Sequence, residues 1–156
     1  MSARLNYQNV APGAIRAMSG LEAYARESSI EAPLRELVKM RASQINGCAY
    51  CLDMHSKDAR AAGETEQRLY VLPAWEEAPF YSDRERAALA WTEAVTLVAD
   101  GHVPDEVFER ARSQFSEEEL VDLTLAIVAI NGWNRLAIAF RADVGAYQSP
   151  HKPQGA

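Results

Sequence analysis

The sequence predicts an all-α fold, on three observations. Apolar residues recur at helical spacing through nearly the whole chain, the interruptions carry helix-starting and helix-stopping residues, and no alternating strand–helix rhythm appears. A first helix is expected after Pro12-Gly13, ending through Leu21–Arg26. A second runs from about Ile30 to Gln44, with Leu34, Leu37, Val38 and Met40 forming an apolar stripe, and Asn46-Gly47 breaks it. A third opens at about Cys48 and stops at Gly63, and a short one, Glu66–Leu72, precedes Pro73.

After a loop over Ala74–Ser82, Ser82 stands three residues before Glu85, the spacing of a capping box, and the helix continues through Ala87–Val98 to Gly101. Pro104 starts the next helix. Ser116 and the acidic run Glu117–Glu119 cap a long apolar element, Leu120–Ile130, with Glu117–Glu119 expected to be simply solvated. Its β-branched content makes a strand the competing reading, but the acidic cap and the lack of other strands favour a buried helix. Asn131-Gly132 is expected to break it before a final helix, Trp133–Val144. Ile45-Asn46-Gly47 thus recurs as Ile130-Asn131-Gly132, which predicts a duplicated two-helix unit. Trp133 and Leu136 stand in the second copy where Cys48 and Cys51 stand in the first.

With 156 residues the chain has the length of one domain, expected over residues 1–147, followed by a loose polar tail over 148–156. It is 48% hydrophobic and 24% charged, with a net charge of −6. Interspersed charge with an acidic balance argues against nucleic-acid binding. No apolar run approaches the roughly 20 residues of a membrane span, and the N-terminus lacks the apolar stretch of a secretory signal. The expected compartment is the reducing cytoplasm, where a close cysteine pair is catalytic or metal-binding more often than a structural staple.

The only two cysteines lie in the stretch GCAYCLDMH, Gly47–His55. On a helix opening at Cys48, the side chains of Cys48, Cys51 and His55 share one face. The first turn offers unpaired N–H groups and a positive dipole end, which with a nearby imidazole can bring a thiol from about 8.5 down to roughly 3.5–7.5. Such a thiolate can attack an electrophilic oxygen or sulfur, and a second thiol one turn away can resolve the product. Helical i, i+3 side chains sit slightly too far apart for ideal disulfide geometry. Glu36, on the preceding helix, could fold back towards the pair and orient His55. The bland alternative is two buried core thiols. A sharper rival is a zinc site built from Cys48, Cys51 and His55 with Glu36 as a fourth ligand, although a structural zinc site usually draws a second ligand pair from elsewhere. His102 and His151 are isolated and receive no role. Trp75, Trp91 and Trp133, with Phe80, Phe108, Phe115 and Phe140, are read as core and subunit-interface residues, and the apolar Leu120–Ile130 stretch as weak support for oligomerisation.

Glu36 followed by Cys48-Ala49-Tyr50-Cys51-Leu52-Asp53-Met54-His55 resembles the active-site signature of the alkylhydroperoxidase D (AhpD)-like branch of the carboxymuconolactone decarboxylase superfamily. The phrase LRELVKMRASQINGCAYCLDMHSKDARAAG follows that core over some thirty residues, and Asn131-Gly132-Trp133-Asn134-Arg135 resembles a second family segment. Decarboxylases of the superfamily generally lack the cysteine pair, so the resemblance points away from decarboxylation. It implies an all-helical subunit that assembles into trimers or hexamers and reduces hydroperoxides without metal or flavin, drawing electrons from an external dithiol of lipoyl type. Carried over by position, Cys51 is the peroxidatic cysteine, Cys48 resolves it, and His55 with Glu36 forms the proton relay. The best-known members have a histidine where this chain has Tyr50, an auxiliary position whose phenol can hydrogen-bond but cannot shuttle protons near neutrality. The dipole favours Cys48 as the more acidic thiol, whereas His55 favours Cys51. The resemblance decides for Cys51. A disulfide reductase or redox sensor with little peroxidase activity, and a non-catalytic oligomer, are the competing functions.

Overall fold

The structure, a computed structural model, describes residues 2–150, so the end of the predicted tail, His151 included, lies outside the described residues. Within them the fold is all-helical, with no strand. The helices are α1 (Tyr7–Val10), α2 (Pro12–Glu27), α3 (Ala32–Asn46), α4 (Ala49–Ala61), α5 (Glu66–Val71), α6 (Asp83–Thr96), α7 (Asp105–Arg112) and α8 (Glu117–Phe140), with one 3-10 turn at Leu72–Ala74. The four-residue α1 carries no apolar repeat and was not foreseen.

The local stop and start signals act as the sequence implies. Gly47 closes α3 in the left-handed region at φ 67°. Ser82 and Ser116 each accept the N–H of the residue three positions on, while Glu85 and Glu119 return the bond. Glu119 is therefore more than a solvated charge: it completes a cap and pairs with Arg84 at 2.7 Å.

Helix α3 is the axle. Ile30 before it and Leu34 and Val38 on one face pack with Ala87, Ala88 and Trp91 of α6 and Leu123 and Ile127 of α8. Leu37 and Met40 on another face meet Ala59, Leu69, Leu72 and Trp75. Burying each such Leu, Ile or Val stabilises the fold by about 1.5–3 kcal/mol. A third cluster joins Ala42 of α3, Cys48, Cys51, and Ile130 and Ala137 of α8. Trp75, Trp91 and Phe115 are core residues as expected, but Phe80 and Phe108 are exposed.

The C-terminal region departs from expectation. Helix α8 runs unbroken through Asn131-Gly132 and ends at Phe140, so there is no separate Trp133–Val144 helix and the helix–break–helix pattern of a duplicated unit is not repeated. The dipeptide is used for packing instead. Asn131 donates to Thr96 Oγ1 at 3.1 Å and to the Ile127 carbonyl at 3.0 Å, and a Cβ on Gly132 would lie 2.7 Å from the Met18 methyl of α2. By length and composition α8 is also apolar enough to cross a bilayer, contrary to the reading of the sequence. Here it packs against α2, α3 and α6, and its buried Asp122 and Asn134 find partners inside the protein.

Candidate active site

The site begins at the α3–α4 junction. Left-handed Gly47 turns the chain, the Cys48 N–H donates back to the Ser43 carbonyl at 3.0 Å, and α4 folds back along α3. Cys48 is not the first helical residue but the N-cap, extended at φ −83° and ψ 95°. Its sulfur takes the place usually held by a Ser or Asp oxygen and accepts the Cys51 N–H at 3.4 Å. That position also swings Cys48 Sγ to 2.8 Å from Cys51 Sγ, so the expected helical separation of the two sulfurs does not apply. Both cysteines are free, and each is 1% exposed.

The fold-back places Glu36 of α3 against His55 of α4, with Glu36 Oε2 2.9 Å from His55 Nδ1. Lys39 Nζ approaches the other Glu36 oxygen at 3.5 Å and also pairs with Glu22. Burial works to raise the Glu36 carboxyl, but the hydrogen bond and charge of His55, with Lys39, outweigh it and hold the group below the ordinary carboxylate value. Of the two thiols, Cys48 is brought down to about 7, first by the hydrogen bond from Cys51 and, against burial, by the backbone N–H of Cys51, the Asn134 amide and the backbone of Tyr50. Cys51 is pushed up by its bond to Cys48, by burial and by the Cys48 charge.

Access is divided differently from charge. Cys51 opens with His55, Glu36, Tyr7, Asp58 and Trp133 onto a cavity of about 510 Å³, which Cys48 does not line. Tyr50, half-buried at the start of α4, lines this cavity and also a second one on the Cys48 side. All four main residues expected from the sequence, and Tyr50, are thus brought together.

Two further residues were not singled out. Asp58 lies seven positions after Cys51, on the same face of α4. It accepts the Tyr147 hydroxyl at 2.9 and 3.0 Å, and that phenol is pushed up to about 12 by burial and by Asp58. The spacing Cys51, His55, Asp58 was a visible signal for it. Asn134 of α8 is completely buried, where it bonds Asn46 and Ser43 of α3 next to the α3–α4 junction, and a lone Asn in an apolar run was its signal. Among the described residues, the groups that could hold a metal ion together are Glu36, His55 and Asp58, with ligand atoms within 4.8 Å of one another. The sulfurs are not in that set, and the carboxylates already have Lys39 and Tyr147 as partners.

Residues 12–94 match the model of the carboxymuconolactone decarboxylase family. The uncharacterized protein YdfG of Bacillus subtilis is 51% identical over 139 residues, which cover 89% of this chain and 95% of that protein. A solved structure from Agrobacterium tumefaciens, a protein of unknown function assigned provisionally to AhpD-type antioxidant defence, superposes with a TM-score of 0.90 at 44% identity, covering 94% of this chain and all of that one. The debrominase Bmp8 shares the fold at a TM-score of 0.79 and 24% identity, covering 89% of this chain and 75% of that one. With the cysteine pair, its histidine and Glu36 placed on an all-helical frame common to these proteins, the chain belongs to the carboxymuconolactone decarboxylase family, in its AhpD-like branch.

Proposed function

We propose that the protein is a thiol-dependent peroxidase that reduces alkyl hydroperoxides through a Cys51–Cys48 dithiol/disulfide cycle. The observation that carries this reading is the shared cavity: the Cys51 sulfur faces the same space as the hydrogen-bonded His55–Glu36 pair, with Cys48 Sγ 2.8 Å behind it. The hydroperoxide enters that cavity and the Cys51 thiolate attacks its terminal oxygen. An S–O bond forms, the O–O bond breaks, and His55, oriented by Glu36, gives a proton to the leaving alkoxide. Cys48 then condenses with the Cys51 sulfenic acid, releasing water and forming the disulfide. An external dithiol, of lipoyl type on the family pattern, reduces the disulfide by exchange. The cycle needs no metal or flavin. A cytoplasmic homo-oligomer, a trimer or hexamer, is part of the reading, and the exposed Val121 and Val128 of α8 support a subunit contact.

Rapid mixing of reduced protein with one equivalent of cumene hydroperoxide, read by intact mass, tests it. Loss of two hydrogens is expected in the wild type, no fast oxidation in Cys51→Ser, and a trapped sulfenic acid in Cys48→Ser. Oxidation no faster than that of a free thiol would refute it. The deep burial of both sulfurs favours a second reading, a disulfide reductase or redox sensor, for which oxidation would be reversible but turnover with peroxide absent.

A further inference from the structure

The two cysteines face different spaces. Cys51 lines the cavity of about 510 Å³ that holds His55 and Glu36, and Cys48 does not. Cys48 lines a second cavity, of about 660 Å³, which Cys51 does not line. Its other walls are Gly47 and Ala49 at the α3–α4 junction and Ile138, Arg141 and Val144 at and beyond the end of α8. Tyr50 and Ala137 line both cavities, so the cysteine pair stands with them between the two spaces. Peroxide reduction at Cys51 uses only the first space. The second leads to the other cysteine, whose sulfur lies 2.8 Å from that of Cys51.

The chemistry of disulfide exchange gives the second space a use. A thiolate donates into the antibonding orbital of the S–S bond, so it enters opposite the sulfur that leaves. Approach from the His55 cavity strikes Cys51 and expels Cys48. Approach from the second cavity strikes Cys48 and expels Cys51, which is thereby released beside His55.

The surroundings favour the second approach. The His55 cavity carries three carboxylates, Glu22, Glu36 and Asp58, against two cations, Arg26 and Lys39, and Lys39 is already paired with Glu22 and Glu36. An incoming thiolate is an anion and is disfavoured there. The second cavity sets one cation, Arg141, against one anion, Asp143, and is walled on one side by the first residues of α4, the positive end of that helix. Access limits the kind of donor as well. Cys48 is 1% exposed, so the attacking thiol has to arrive on a narrow chain, which a cysteine fixed in the surface of a folded protein is not.

Resting on the dithiol cycle above, we propose that the cavity beside Cys48 is the binding site of the reductant, an open-chain alkyl dithiol that attacks Cys48 from the side opposite the peroxide site. One donor thiolate forms an S–S bond to Cys48 Sγ, the Cys48–Cys51 bond breaks, and its electron pair leaves on Cys51. Cys51 takes up the proton that the donor thiol released to solvent. The second donor thiolate then attacks the donor's own sulfur in the mixed disulfide, expels Cys48, which is protonated in the same way, and departs as a cyclic disulfide. Two electrons and two protons pass from the donor to the protein.

The test starts from full-length protein closed to the Cys48–Cys51 disulfide with diamide, so that no peroxide is involved. A brief pulse of β-mercaptoethanol, a monothiol that cannot carry out the second exchange on itself, is quenched with N-ethylmaleimide, and the mixed disulfide is located by peptide fragmentation. It is expected on Cys48, with the maleimide on Cys51. The reverse placement or an even mixture overturns the proposal, as does failure of diamide to close the disulfide. Ile138→Trp fills the second space from a position that is 46% exposed and does not line the His55 cavity. It is expected to slow reduction by dihydrolipoamide about tenfold, because exchange rates follow access, and a rate within about twofold of wild type overturns the proposal. If Ile138→Trp does not fold, the placement in the wild type decides. Turnover of cumene hydroperoxide together with a mixed disulfide on Cys51 would keep the peroxidase reading and remove this one.

Discussion

Replacing Glu36 by Gln tests whether the His55 partner matters as a charge or only as a shape. Gln keeps an oxygen that can accept from His55 Nδ1 across the 2.9 Å contact, so what is lost is the charge-assisted part of the bond. Charge-assisted bonds are about twice as strong as neutral ones, and a bond to a charged group contributes about 1.5–3 kcal/mol. The loss is then about 1 kcal/mol or a little more, roughly a five- to tenfold drop in the peroxide step at about 1.4 kcal/mol per factor of ten. Glu36→Ala removes the partner altogether and is expected to cost roughly a hundredfold.

The substitution leaves no orphaned cation, because Lys39 retains Glu22, so a lower rate cannot be blamed on a buried unpaired charge. The assay is single-turnover oxidation by one equivalent of cumene hydroperoxide, followed by intact mass, with thermal unfolding alongside. A Glu36→Gln rate within about twofold of wild type, in a protein of unchanged melting temperature, would refute the assignment of Glu36 to the relay.

The same carboxylate sets an acid limit on stability. Its folded value lies below its ordinary value of 4.5, so its stabilisation is complete above 4.5 and is lost as pH falls through the lower folded value; urea midpoints should drop in that window in the wild type and less in Glu36→Gln. Tyr147→Phe removes the donor to Asp58, should lower stability by about 1 kcal/mol, and should delete from the alkaline phenol titration the component near 12. Gly47→Ala, at φ 67°, should cost about 1–2 kcal/mol in urea unfolding. Gly132→Ala should stay within about 1 kcal/mol of wild type, because its clash is with the flexible end of half-buried Met18 and alanine favours the helix.

The two Asn-Gly pairs show which parts of the fold were legible in the sequence. The first is decided locally: Gly47 adopts the left-handed conformation and the caps around it close on neighbouring residues. The second has the same composition, but the outcome is tertiary. Asn131 finds Thr96 on α6 and Asn46 on α3, and Gly132 gives Met18 room, so the helix continues. Ser82 and Ser116 were readable for the reason Gly47 was, since each partner lies three residues away. Glu36, Cys48, Cys51 and His55 were legible as a set because their spacing is itself the signature. Asp58 and Asn134 acquire meaning only from Tyr147, Asn46 and Ser43, partners 88 to 91 residues away in the chain, a distance that local spacing does not encode.

The order of the cysteines turns on a feature that spacing could not reveal. A helix opening at Cys48 would place both sulfurs on one ladder, where only the helix dipole and the imidazole would tell them apart. With Cys48 as the cap, its sulfur satisfies an N–H that every helix start leaves unpaired, so the Cys48 sulfur has a structural role beside the chemical one proposed for it. Sulfur is a weaker acceptor than the oxygen of Ser or Asp. The junction is held instead by the Cys48 N–H on Ser43 and by Asn46 on Asn134. Those anchors hold the backbone of the junction independently of the Cys48 sulfur. A cap whose sulfur can be withdrawn without unwinding α4 suits the resolving role proposed for Cys48.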